Sequence, residues 1–202
     1  MSIALAPPAP STLLDLLDRS RVRDVVAVVG FALLTAVAAQ ITIPLGFTPV
    51  PLTGQTFAVL LAGGVLGSRR GGLSMLLYVA LGAIGLPFYA DGEGGWTAAT
   101  GATSGYLVGF IVAAVAIGLM AERGQDRTLS TSIPAFIAGT TIIYAIGVGW
   151  LAYDLGLPLT AAAGEPSAVS LGVAPFLVGD VFKALLAGAM LPAAWRLFDT
   201  AR

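Results

Sequence analysis

The 202 residues are 57% hydrophobic and only 10% charged, with a net charge of -1 and a mean hydropathy of +0.91. A soluble domain of this length must cover more of itself with groups that water tolerates, so the composition predicts an integral membrane protein. Cys and His are both absent, which excludes disulfides, thiolate chemistry, the usual zinc sites and the ordinary near-neutral proton switch, while the charge balance argues against nucleic acid as a partner.

Residues 1–24 read as a cytoplasmic leader. Its first ten positions are rich in Pro and Ala and are expected to be disordered. Ser11 stands where it could cap a short helix over residues 13–18, followed by Arg19, Arg21 and Arg23. That pattern suits either a helix lying on the inner membrane surface or a solvated leader. No positive n-region with an apolar h-region and a small-residue cleavage site is present, so no removable signal peptide is expected.

The rest, residues 25–198, reads as one transmembrane domain. A first span is predicted at 25–43, long enough for about 30 Å of hydrocarbon, followed by a Pro- and Gly-bearing loop over 44–52. A short second span at 53–66 leads into a tight basic turn, Gly67-Ser68-Arg69-Arg70-Gly71. A third span at 72–86 enters a loop through Trp96. The fourth is predicted at 104–120, the fifth at 133–153, and the sixth at 171–198 with Pro175 near its start and Pro192 near its end. The expected fold is therefore an all-α integral membrane protein, six transmembrane helices in one bundle. Every Arg lies before span one, between two and three, between four and five, or at the end of six. By the positive-inside rule both termini are cytoplasmic and the Arg-free loops face out.

The sixth span holds the only Lys in the chain, Lys183, three positions after Asp180 and so on one helical face. From a start near residue 173 the pair would lie roughly 10 Å and 15 Å inward from the outer end. Ionisable groups at membrane depth are costly unless paired or wetted, and they mark functional sites. The two could merely neutralise each other, but desolvation offsets most of the Coulomb gain of such a pair. A pocket that uses both accounts better for them, with an ammonium for a ligand carboxylate and a carboxylate for ligand N–H donors.

Other candidates carry two readings each. Ala32 and Ala36 form a small-xxx-small ridge that admits a second helix, either a partner or a neighbour within the bundle. Gly63, Gly64, Gly67, Gly105 and Gly109 read as intramolecular packing. Gln55 follows the first outer loop, where its amide could face a ligand or cap backbone. Tyr106 and Tyr144, like Trp96 and Trp150, could serve a site or anchor the interface. No nucleotide-binding loop and no cluster of metal-ligating or paired acidic side chains appears in the bundle, so neither intrinsic ATP hydrolysis nor an enzyme is expected.

Several collinear stretches together resemble the BioY family, the biotin-specific substrate-binding (S) component of energy-coupling factor (ECF) transporters. They are Pro51-Leu52-Thr53-Gly54-Gln55-Thr56, Leu66-Gly67-Ser68-Arg69-Arg70-Gly71, Leu81-Gly82-Ala83-Ile84-Gly85-Leu86-Pro87, Gly101-Ala102-Thr103-Ser104-Gly105-Tyr106, and Pro175-Phe176-Leu177-Val178-Gly179-Asp180-Val181-Phe182-Lys183-Ala184. Ala102, Ser104 and Val178 depart from the usual Pro or Gly of the family. The resemblance implies a biotin receptor in the cell membrane, with Asp180 and Lys183 at the ligand and the first outer loop folding over it. It also implies a transmembrane coupling protein that meets Ala32 and Ala36, two cytoplasmic ATPases, and no cofactor. A stand-alone, proton-coupled carrier of biotin or another small anionic vitamin is the alternative, and a scaffold whose Asp–Lys pair only fixes packing is a third.

Overall fold

The architecture comes from a computed structural model that describes residues 11–162 and 164–200, with side chains to residue 198. The expectations for residues 1–10 lie outside the described residues. Among the described residues the main helices are α1 (Arg21–Gln40), α2 (Gln55–Leu66), α3 (Ser68–Ala83), α5 (Ser104–Glu122), α6 (Leu129–Leu155) and α8 (Leu177–Thr200). Two short helices, α4 (Trp96–Ala99) and α7 (Ala168–Gly172), lie in the connections. Four of them, α1, α5, α6 and α8, are long and apolar enough to cross a membrane. The second and third expected spans appear as shorter helices, about 18 Å and 24 Å long at 1.5 Å per residue.

Small residues set the helix spacing. On α5, Gly105 lies against the Ile146 carbonyl and Trp150 of α6, and Gly109 against the Ile143 backbone. A Cβ at either would push the two helices apart, so this closest pair depends on bare backbone. Gly63 lies against Ala114 and Gly64 against Leu191 and Phe136, as the packing expectation for these glycines held.

Several boundaries differ from expectation. The basic turn at 67–71 shrinks to Gly67 alone, at φ +82°. Glu122 at the end of α5 accepts from the Ser68 amide at 2.7 Å and its hydroxyl at 2.8 Å. That acceptor caps α3 at once, so Arg69 and Arg70 lie in its first turn. The proposed helix at 13–18 is a single 3-10 turn, Leu13–Leu16, because Ser11 and Thr12 spend their hydroxyls on Asp15 (2.8 and 3.0 Å). Arg21 and Arg23 belong to α1, capped by Ser20. The fifth span begins earlier, at Leu129. The sixth is broken: α7 ends at Gly172 and α8 begins at Leu177, with Pro175 in the gap. Pro disfavours helical backbone in the residue before it, which ends the first segment.

Pro192 is accommodated differently. It has no N–H for the Gly188 carbonyl one turn back, and that carbonyl accepts instead from the buried Ser132 hydroxyl of α6 at 2.6 Å. Gly188 in turn lets Ile133 approach.

At one end, Arg70 bridges Asp15 (2.9 Å) and Asp24 (3.2 Å), and Arg23 binds Asp24 at 2.6 Å and the Leu14 and Leu17 carbonyls. Burial pushes Asp15 up, but hydrogen bonds from Arg70, Ser11 and Thr12 outweigh it and hold the carboxyl at about 2. Nearby, buried Asp126 accepts from the Trp195 indole, over which Arg127 stacks at 3.6 Å. At the opposite end lies a short antiparallel hairpin, β1 (Thr42–Ile43) with β2 (Leu52–Thr53), pairing Thr42 with Thr53 and Ile43 with Leu52.

Candidate functional site

Beneath that hairpin lies a cavity of about 630 Å³, within the range of small-molecule sites. The hairpin loop contributes Pro44, Pro49 and Pro51. The connection into α5 contributes Thr97, Gly101 and Thr103. The helices supply Tyr106, Phe110, Ile143 and Tyr144, with Phe176 from the gap before α8. Apolar and aromatic side chains thus share the walls with polar ones, among them Gln55, Asp91 and Glu93.

The ion pair in the lining is Asp180 with Lys183. Because α8 starts only at Leu177, Asp180 lies in its first turn and nearer the helix end than the expected 10 Å. There the positive end of the helix dipole favours a carboxylate. Lys183 Nζ donates to Asp180 Oδ1 at 2.6 Å, to the Thr53 carbonyl at 2.6 Å and to Thr56 Oγ1 at 3.2 Å. All three ammonium protons are therefore engaged. Thr56 donates to the same Oδ1 at 3.0 Å, and Tyr144 donates to Oδ2 at 2.6 Å. Asp180 is 4% exposed, so its carboxylate is desolvated yet partnered at both oxygens, and Oδ2, with Tyr144 as its one donor, keeps spare acceptor capacity.

The five expected ligand residues, Asp180, Lys183, Gln55, Tyr106 and Tyr144, all line this one cavity. Their polar tips are not equally available. Tyr106 donates to the Gly172 carbonyl at 2.8 Å, which pins α7 and leaves its ring for the wall. Gln55 accepts from Thr53 Oγ1 at 2.7 Å and donates to the buried Tyr78 hydroxyl, so its amide braces the floor. Trp150 donates to the Gly101 carbonyl at 2.9 Å and Trp96 is exposed; neither lines the cavity.

Of the two readings of Ala32 and Ala36, packing within the bundle has support in the structure. They are 1% and 7% exposed and lie in the core beside Val59, Ala62 and Met75 of α2 and α3. The ridge is filled by the chain's own helices, and α1 turns Val22, Val26, Val29, Leu33 and Val37 outward instead.

Sequence reasoning assigned no role to Thr53, Thr56 or Phe176. Thr56 lies next to Gln55 inside a quoted motif, which was the available signal. The Thr53 contact is through a backbone carbonyl, which no side-chain pattern can reveal.

The BioY family model matches residues 11–200. A protein named biotin transporter BioY from Rhizobium etli is 39% identical over 173 residues, covering 82% of this chain and 89% of that one. A probable biotin transporter BioY from Pyrococcus horikoshii is 41% identical over 167 residues, covering 83% and 93%. Among solved structures, the crystal structure of the S-component for biotin from an ECF-type ABC transporter superposes with a TM-score of 0.77 at 24% identity, over 89% of this chain and 95% of that one. That likeness shows a shared fold. With a family model matching residues 11–200 and relatives near 40% identity over more than four fifths of the chain, this multi-pass membrane protein belongs to the BioY family.

Proposed function

We propose that the chain captures biotin at the cavity under the hairpin and serves as the substrate-binding subunit of an ATP-driven ECF-type transporter. The observation that carries this is the chain's single lysine, held beside Asp180 in the wall of the cavity among aromatic side chains. Biotin is a carboxylate joined through an apolar chain to a bicycle with two urea N–H donors. Lys183 suits the carboxylate. The unfilled side of Asp180 Oδ2 suits an N–H donor, and Tyr106, Phe110, Tyr144 and Phe176 suit the apolar middle. The names of the relatives and of the solved S-component support biotin as the ligand and a transporter, not an enzyme.

Six membrane crossings, both termini cytoplasmic, belong to the same proposal. Arg19, Arg21, Arg23, Arg69 and Arg70 gather around one groove at the end opposite the cavity, and by the positive-inside rule that end is cytoplasmic. The cavity then opens outward. Energy would come from a transmembrane coupling protein and two ATPases, because the chain has no nucleotide loop.

Calorimetry of the purified protein with biotin, against desthiobiotin and thiamine as competitors, tests the ligand: no saturable biotin heat would refute it. Uptake into liposomes that follows a proton gradient without ATPases would refute the subunit role in favour of a stand-alone carrier.

A further inference from the structure

A second recess, about 940 Å³, lies at the arginine-rich end between the 3-10 turn, α1 and α3. The Asp24–Arg70 and Val28–Ser74 contacts advance together along α1 and α3, so the two helices run parallel and begin at the same level. Five arginines and three carboxylates line it. Arg23 and Arg70 are engaged by Asp15 and Asp24, and Glu122 is taken by Ser68. Arg19, Arg21 and Arg69 are exposed and make no hydrogen bond or ion pair among the described residues. Directly beyond these three cations the wall turns apolar, with Val25 and Val29 on α1 and Leu73 and Leu77 on α3. Val25 and Leu73 are exposed.

We infer that this groove binds one anionic phospholipid, its phosphate against Arg19, Arg21 and Arg69 and an acyl chain along the Val25–Leu73 wall. The inference rests on the membrane placement proposed above. Guanidinium groups without internal partners are suited to bidentate phosphate recognition, and basic recesses between transmembrane helices on the cytoplasmic side recognise anionic headgroups. A soluble phosphate would use the arginines alone. The continuous apolar wall above them fits a lipid. The first-turn amides are not the attraction: Ser20 already caps Arg23 and Glu122 already caps Ser68.

The test is native mass spectrometry of the detergent-purified protein with equal amounts of phosphatidylglycerol and phosphatidylcholine. One retained phosphatidylglycerol is expected, favoured by about tenfold or more. The R19Q/R21Q/R69Q variant should lose that preference, and Arg69→Gln alone should lose roughly fivefold. Arg123→Gln removes another exposed arginine that does not line the groove, and it should retain the preference. Calorimetry with biotin on the same variants should be unchanged, which separates a failure of this site from a failure of the capture site or of folding. The inference is overturned by equal retention of both lipids, by equal loss in Arg123→Gln, or by displacement of the lipid with glycerol 3-phosphate. Absence of any retained lipid would also overturn it and leave the groove to a protein partner.

Discussion

Tyr144 donates its hydroxyl to Asp180 Oδ2 at 2.6 Å, the oxygen that Lys183 leaves free. The carboxylate is thus held from both sides, by an ammonium on one oxygen and a phenol on the other. Tyr144→Phe keeps the ring in the cavity wall and removes only the phenol. A hydrogen bond to a charged group contributes about 1.5–3 kcal/mol; water entering the cavity recovers part of that. Biotin affinity is expected to fall roughly tenfold with little change in thermal stability, measured by calorimetry and a thermal melt. Unchanged affinity would show that Asp180 is oriented without Tyr144.

Lys183→Ala and Asp180→Asn are expected to differ in a way that reports which end of the ligand meets which residue. Without Lys183 the ligand carboxylate loses its cation, so biotin binding should fall by two orders of magnitude or more, on the scale of about 3 kcal/mol for breaking a buried pair. Asp180→Asn keeps the ammonium and should weaken biotin less. Biotin amide, lacking the carboxylate, should reverse that order. If both ligands rank the two variants alike, the carboxylate does not sit at Lys183.

Ala32→Leu now becomes a packing experiment. Inserting a branched side chain at a position 1% exposed, against α2 and α3, is expected to cost about 1–3 kcal/mol. The melting temperature and the yield of folded protein should drop. A fully stable variant that binds biotin but fails only in ATP-driven uptake would restore the ridge as a partner contact.

Asp15 makes stability depend on acidity. Its carboxyl is held at about 2, below the ordinary 3.8, so its contribution is fully present above about pH 4 and is lost as pH falls toward 2. Asp15→Asn should lower the melting temperature at pH 7, on the order of 1 kcal/mol after screening. It should also flatten the fall of the wild-type melting temperature below pH 4. Parallel melting curves for the two proteins in that window would count against the Arg70–Asp15 bridge.

Ser132→Ala should strand the Gly188 carbonyl that Pro192 leaves without its helical donor. The expected cost is about 1–3 kcal/mol, read as a lower melting temperature. Replacing Pro192 by Ala in the same background should restore most of it by returning the missing N–H.

Much of this was legible in the sequence because membranes punish charge. Asp180 and Lys183 stood out for that reason, and the arginines grouped themselves by loop. The glycines of α5 were legible as packing because backbones approach only where side chains are missing. What stayed hidden depends on partners distant in the chain. Glu122 decides where α3 begins from 54 positions away, so the local run of Gly and Arg read as a turn. The break at Pro175 was masked by continuous hydropathy on both sides. Ala32 and Ala36 show the same limit: a ridge of small residues marks a close contact without saying whose helix fills it.

The ammonium of Lys183 reaches across 130 positions to the Thr53 carbonyl in the second strand of the hairpin. A ligand that recruits this ammonium must therefore either share it with Thr53 or take it away. Occupancy of the cavity and fastening of the hairpin are one linked equilibrium, and linkage is reciprocal. By whatever factor an incoming carboxylate loosens the strand, opening the strand will tighten the carboxylate. The bond that ties the second strand to α8 is positioned to set how readily a bound ligand lets go.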